Sequence, residues 1–130
     1  FPTRRSSDLT IEKDYLLRHS DFITLHLPYS DGKPIIGIEE IAAMKDGAML
    51  INSARGGAID ENALLDGLNS GKIHGAGLDV FENEPNPRKD LIEHPLVSVT
   101  PHIGGSTKEA QAKIGIELAD RIITFFESRG

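Results

Sequence analysis

Four side chains in this sequence have the types and surroundings to do chemistry together: Arg55, Asp79, Glu84 and His102. Arg55 stands in the glycine turn Ser53-Ala-Arg-Gly-Gly57, between an apolar run and an amphipathic one. A guanidinium fork holds a carboxylate through two parallel hydrogen bonds, so capture of a substrate anion is one reading of Arg55. A surface ion pair with Asp60 or Glu61 is the other. His102 lies between Pro101 and Ile103, ahead of Gly104-Gly105 and a helix start. An imidazole there suits proton transfer, with a structural histidine as the alternative. Asp79 is either a buried hydrogen-bonding carboxylate or, with Gly75 and Gly77 beside it, a neighbour of an approaching ligand. Glu84, judged by its own surroundings, is a solvated loop residue in an acidic run with Glu82.

Other chemistries find less support. His19, His26, His74 and His94 have no metal-ligand spacing, so no metal site is expected. Ser53 lacks the glycine frame of a hydrolase nucleophile. The net charge of -6, with no basic run, argues against a nucleic-acid partner. There is no cysteine, which excludes disulfide and thiolate sites and fits a reducing compartment. No apolar run approaches the roughly 20 residues that span a bilayer, and no signal-peptide core is present, so a cytoplasmic protein without a membrane partner is expected. With 130 residues, 38% hydrophobic and 26% charged, one modest core is the natural outcome.

The elements that must position the four side chains alternate between strand and helix. After a polar, aperiodic segment at residues 1–9, read as a tail or artefact outside the fold, a helix is predicted over Ile11 to Arg18 and a strand over Asp21 to Leu27. The near-continuous apolarity of that strand suggests burial on both faces. A loop from Tyr29 to Gly37 leads to a helix in which Ile38, Ile41, Ala42 and Met44 recur at helical spacing until Gly47, then a strand from Ala48 to Asn52. Asp60 is the predicted cap of the next helix and Gly71 its end. A third strand spans His74 to Val80, a single helical turn Leu91 to His94, and a fourth strand Leu96 to Val99. The last helix is long, with a capping box of Ser106 and Glu109. Its stripe of Ala110, Ile114, Leu118, Ile122 and Phe126 is too broad for this small sheet to cover, which implies a partner surface.

Such alternation predicts right-handed crossovers and a parallel sheet, a partial, Rossmann-like, doubly wound α/β design with a long C-terminal helix. In an open parallel sheet the strands' carboxyl ends share one edge, where ligands bind. Arg55 and His102 follow strand ends, and Asp79 and Glu84 close or follow the third strand.

The stretch INSARGGAIDENALLDGLNSGKIHGAGLDVFENEP, followed by VSVTPHIGGSTKEAQ, resembles the nucleotide-binding domain of NAD-dependent D-2-hydroxyacid dehydrogenases, and the GGSTKEAQ helix start is most similar to the phosphoglycerate dehydrogenases among them. The resemblance runs from about Ile11 to Glu127. It implies NAD as cofactor, a small 2-hydroxy acid such as 3-phosphoglycerate as substrate, and a homo-oligomer. It also implies three catalytic residues: Arg55 on the substrate carboxylate, His102 accepting the C2 hydroxyl proton as hydride leaves for the nicotinamide, and Glu84 stabilising the imidazolium. Asp79 then matches a residue near the nicotinamide carboxamide, and Leu27, Ser53, Ala54, Gly104 and Gly105, together with Arg55 and His102, fall at positions lining the dinucleotide.

The departure from that family lies upstream. No GxGxxG turn occurs, nor the acidic residue that would hold the adenosine ribose. Residues 10–130 therefore correspond to the second half of a dinucleotide-binding domain without a substrate domain, a fragment expected to be inactive alone. Two alternatives use the same residues: a dinucleotide-sensing protein of the corepressor type, and a non-catalytic association module.

Overall fold

A computed structural model describes residues 11–28 and 32–128. The segment read as a tail, residues 1–9, and part of the loop after Pro28 lie outside the described residues. Four strands, β1 (Phe22–Leu25), β2 (Ala48–Asn52), β3 (Ile73–Leu78) and β4 (Val97–Val99), pair in parallel in the order β1-β2-β3-β4. The helices are α1 (Lys13–His19), α2 (Ile38–Ala43), α3 (Glu61–Ser70), α4 (Lys89–Ile92) and α5 (Lys108–Glu127). One helix lies in each connection between neighbouring strands, as parallel pairing requires.

Helices α1 to α4 cover one face of the sheet. Leu17, Ile41, Leu64, Leu68 and Leu91 pack there in one core with Ile23, Leu25, Leu50, Ala76 and Leu78. Register produces this, because Ile23 stands beside Leu50 and Leu50 beside Ala76, so alternate side chains of three strands enter the core together. The residues between them face the other way, and Phe22 and Ile51 remain 68% and 40% exposed. Strand β1 is thus buried on one face rather than the two that its apolarity suggested. The physical reason is that among the described residues no helix covers its second face.

Local chemistry sets the helix ends. The Asp60 carboxylate accepts the N–H groups of Asn62 and Ala63 at 2.9 and 3.0 Å, and Gly71 closes α3 in the left-handed region at φ 80°. At α5 the expected box of Ser106 and Glu109 is replaced by a cap one residue later. The Thr107 hydroxyl accepts the Ala110 N–H at 3.1 Å, while the Ser106 N–H is engaged in a turn with the Ile103 carbonyl at 2.9 Å. No residue of α5 is buried, and Phe126 is 68% exposed. Among the described residues no helix is long and apolar enough to cross a membrane.

Candidate active site

Strand β2 delivers Arg55. At its end the Asn52 side chain, only 3% exposed, accepts the Ala54 N–H at 3.1 Å and donates to the Arg55 carbonyl at 3.0 Å. Gly57 completes the turn at φ 90°, a conformation that favours glycine. Gly56 is required for a different reason, a close approach of two backbones. A Cβ there would lie 1.8 Å from the Phe81 carbonyl oxygen, so this turn rests backbone to backbone on the loop after β3.

The Arg55 side chain is exposed and, among the described residues, makes no ion pair. Its two sequence-suggested surface partners are engaged elsewhere, Asp60 in capping α3 and Glu61 in accepting the Glu82 N–H at 2.9 Å. Arg55 lines a cleft of about 510 Å³ with His26, Leu27, Pro28, Ser53 and Ala54.

The loops after β3 and β4 meet through Glu84 and His102. Glu84 Oε2 lies 2.6 Å from His102 Nδ1, and its Oε1 accepts the Phe81 N–H at 3.0 Å. The contact with His102, then the Phe81 N–H, hold the Glu84 carboxyl below the usual carboxylate range. Glu84 is therefore paired, not the solvated loop residue that its neighbours alone implied. His102 Nε2 makes no hydrogen bond among the described residues. The His102 backbone sits at φ 57°, a region that costs a non-glycine residue about 1–3 kcal/mol. Glu84, His102, Phe81 and three prolines enclose a pocket of about 210 Å³.

Asp79 holds that strained segment in place. Its carboxylate accepts the Thr100 hydroxyl at 2.6 Å and the N–H groups of Ile103 and Gly104 at 2.8 and 2.9 Å, which bracket His102 on both sides. Burial pushes the Asp79 carboxyl up, but these hydrogen bonds and the nearby His102 charge outweigh it and leave the carboxyl below its ordinary range. The first sequence reading of Asp79 matches its contacts. It is a buried hydrogen-bonding carboxylate, 8% exposed, and it also borders a cleft of about 380 Å³ with Ile51, Ser53, Gly77, Ile103 and Gly104. Gly77 opens onto this cleft, whereas a Cβ on Gly75 would press on Met49 and the Leu96 carbonyl at 3.1 and 3.3 Å.

Three clefts thus lie along the carboxyl edge of the sheet. Leu27, Ser53, Ala54 and Arg55 line one, Ser53, Asp79 and Gly104 the second, and Glu84 with His102 the third. Gly105 lines none of the three; its carbonyl accepts from the Gln111 side chain at 2.6 Å. Sequence reasoning passed over two residues that shape this edge. Asn52 carried a readable sign, since an asparagine at a strand end before a turn commonly bonds the following backbone. Thr100 carried none, because its partner is 21 residues away.

The parallel sheet and the clefts at its strand ends define a nucleotide-binding α/β domain of the Rossmann type. Residues 3–104 match the family described as D-isomer specific 2-hydroxyacid dehydrogenase, NAD binding domain, and the chain belongs to that family. It is 48% identical over 128 residues to the hydroxypyruvate reductase of Thermotoga maritima, a match covering 93% of this chain and 42% of that one. With the D-3-phosphoglycerate dehydrogenase of Bacillus subtilis it shares 47% identity over 111 residues, 85% of this chain and 21% of the other. The crystal structure of a glyoxylate reductase from Paecilomyes thermophila aligns with a TM-score of 0.75 at 43% identity, covering 82% of this chain and 33% of that one. The chain therefore spans less than half the length of these relatives.

Proposed function

We propose that this chain supplies part of the site of an oxidoreductase that transfers hydride between a small 2-hydroxy acid and NAD, with 3-phosphoglycerate as the substrate, and is inactive alone. The observation that carries this reading is the Glu84–His102 pair at 2.6 Å, placed on the carboxyl edge of the sheet in a chain of this family. The clefts suit a dinucleotide in shape and chemistry. Gly77 and Gly104 keep one open, Ile51 and Ile103 give it apolar walls, and Leu27, Ser53 and Ala54 line its neighbour. When bound, NAD supplies the hydride acceptor.

The remaining work falls to the chain's own side chains. Glu84 bonds Nδ1 of His102 and so leaves Nε2 to take the proton of the substrate's C2 hydroxyl as the hydride departs, or to return it to the carbonyl oxygen in reduction. The same carboxylate stabilises the imidazolium formed. Arg55, exposed and without an ion pair among the described residues, supplies the fork for the substrate carboxylate. Of about four acceptor positions on the Asp79 carboxylate, three are filled, which leaves one for the cofactor's amide.

The choice of 3-phosphoglycerate is supported by the GGSTKEAQ helix start and by the likeness to phosphoglycerate dehydrogenase. The likeness to hydroxypyruvate reductase favours hydroxypyruvate as a second reading. Steady-state assay of the protein expressed from its complete reading frame decides between them. A kcat/KM for 3-phosphoglycerate at least about tenfold above that for glycerate supports the first reading, and the reverse order supports the second. Dinucleotide binding without turnover of any 2-hydroxy acid would sink both and favour a sensing protein of the corepressor type. Cytoplasmic location and a homo-oligomeric state complete the proposal, supported respectively by the cysteine-free sequence and by the exposed apolar residues of α5.

A further inference from the structure

We infer that Asn52 is a positioning residue for substrate binding, acting through Arg55; the inference rests on the role proposed above for Arg55. Among the described residues the guanidinium of Arg55 has no ion pair to orient it, so the backbone from which the side chain springs sets its starting direction. That backbone is followed by two glycines, the second in the left-handed region, and is permissive on that side. Besides the Ala58 N–H, which donates to the Arg55 carbonyl at 3.2 Å, and the packing of Gly56 on Phe81, one buried amide restrains it. Asn52 Oδ1 accepts the Ala54 N–H at 3.1 Å and Nδ2 donates to the Arg55 carbonyl at 3.0 Å, so a single side chain grips both ends of the Ala54-Arg55 dipeptide.

The same residue extends the grip to the neighbouring strand, because its backbone carbonyl accepts the Asp79 N–H at 3.0 Å. Arg55 is thereby referred to the carboxylate that brackets His102. Few residues can replace this amide. Aspartate matches its shape but lacks the donor and sets an oxygen against the Arg55 carbonyl, while alanine offers neither group.

The test is a double-mutant cycle of Asn52→Ala and Arg55→Ala in the protein expressed from its complete reading frame, with Asn52→Asp taking the place of Asn52→Ala should the latter not fold. The expected single-variant result is a KM for the 2-oxo acid raised about tenfold, with kcat and the KM for NADH little changed. In the Arg55→Ala background the same change should alter that KM by less than about twofold, since the group being positioned is gone. An unchanged KM in the single variant, or a full multiplicative effect in the double one, would overturn the inference and leave Asn52 a structural residue. A normal KM in Arg55→Ala alone would instead overturn the role of Arg55, and the inference with it.

If the parent turns over no 2-hydroxy acid, the proposed function fails while amide exchange still decides the clamp. Ala54 should then exchange at least about tenfold faster in Asn52→Ala, or the Arg55 turn in Asn52→Asp, with Leu64 unchanged. Equal rates would show that no clamp exists.

Discussion

Glu84 Oε2 and His102 Nδ1 stand 2.6 Å apart across 18 residues of sequence, joining the loop after β3 to the loop after β4. An amide in place of the carboxylate keeps the shape and loses the charge that stabilises an imidazolium. Glu84→Gln should therefore lower kcat by about 10²–10⁴-fold, the span typical of general acid–base assistance. An unchanged kcat in the variant would refute the pairing. The stability side has its own sign. A carboxyl held below its ordinary range contributes stability above its unfolded value, about 4.3, and loses it as pH falls through the lower folded value. The loop junction should then loosen as pH falls below about 4.3, and exchange of the Phe81 amide, which donates to Glu84, reads that loosening directly.

Arg55→Lys keeps the charge and loses the fork. A charge-assisted hydrogen bond contributes about 1.5–3 kcal/mol, so the KM for the 2-oxo acid should rise about 10–100-fold with folding unaffected, given that the side chain is exposed. Steady-state kinetics beside a thermal melt checks both halves. A lysine variant with the parent KM would mean that Arg55 acts only as a point charge, or not on the substrate.

The same substitution at two glycines should give opposite results. At Gly56 a methyl group would meet the Phe81 carbonyl at 1.8 Å, and neither backbone can yield without moving the turn that carries Arg55 or the loop that carries Glu84. Gly56→Ala should cost about 3 kcal/mol or more, measured by denaturant unfolding. At Gly77 the nearest atom would be an Ile51 side-chain carbon at 3.7 Å, an ordinary contact, yet the methyl enters the cleft beside Asp79. Gly77→Ala should leave stability within about 1 kcal/mol and raise the KM for NADH. A stable Gly56→Ala protein would show that the two loops are not pressed together as described.

These glycines mark where legibility in the sequence ends. The Arg55 turn was readable because its determinants are local: β2 begins at Ala48 and ends at Asn52 as predicted, and Asp60 and Gly71 bound α3. Contacts between loops are different in kind. Gly56 against Phe81, Thr100 on Asp79 and Glu84 on His102 join residues 18 to 25 apart, and no propensity or periodicity specifies such a meeting. Only the family resemblance implied the last of them. Apolarity likewise marked β1 as buried without saying on how many faces, since a strand awaiting cover reads like a covered one.

Glu61 offers a test of that loop junction that needs no catalysis. It lies in the first turn of α3, 5% exposed, and its carboxylate accepts the Glu82 N–H at 2.9 Å while the Glu82 carboxylate accepts the Glu61 N–H at 3.2 Å. Burial raises the Glu61 carboxyl; the Glu82 N–H lowers it, the Glu82 charge raises it again, and weaker effects of Arg88 and Asp90 oppose each other, with the net result above the ordinary range. An acid raised by folding is charged at a penalty in the native state. Stability is then highest below the unfolded value and falls as pH rises through the folded one. Glutamine retains an acceptor for the Glu82 N–H and carries no charge. Glu61→Gln should therefore melt higher than the parent at neutral pH, with the difference closing as pH falls to about 4, where the parent carboxyl is protonated as well. A variant that melts lower at neutral pH would mean that the carboxylate's attraction to the guanidinium of Arg88, itself held by Asp90 at 2.7 Å and Asn62 at 2.6 Å, outweighs the burial of its charge.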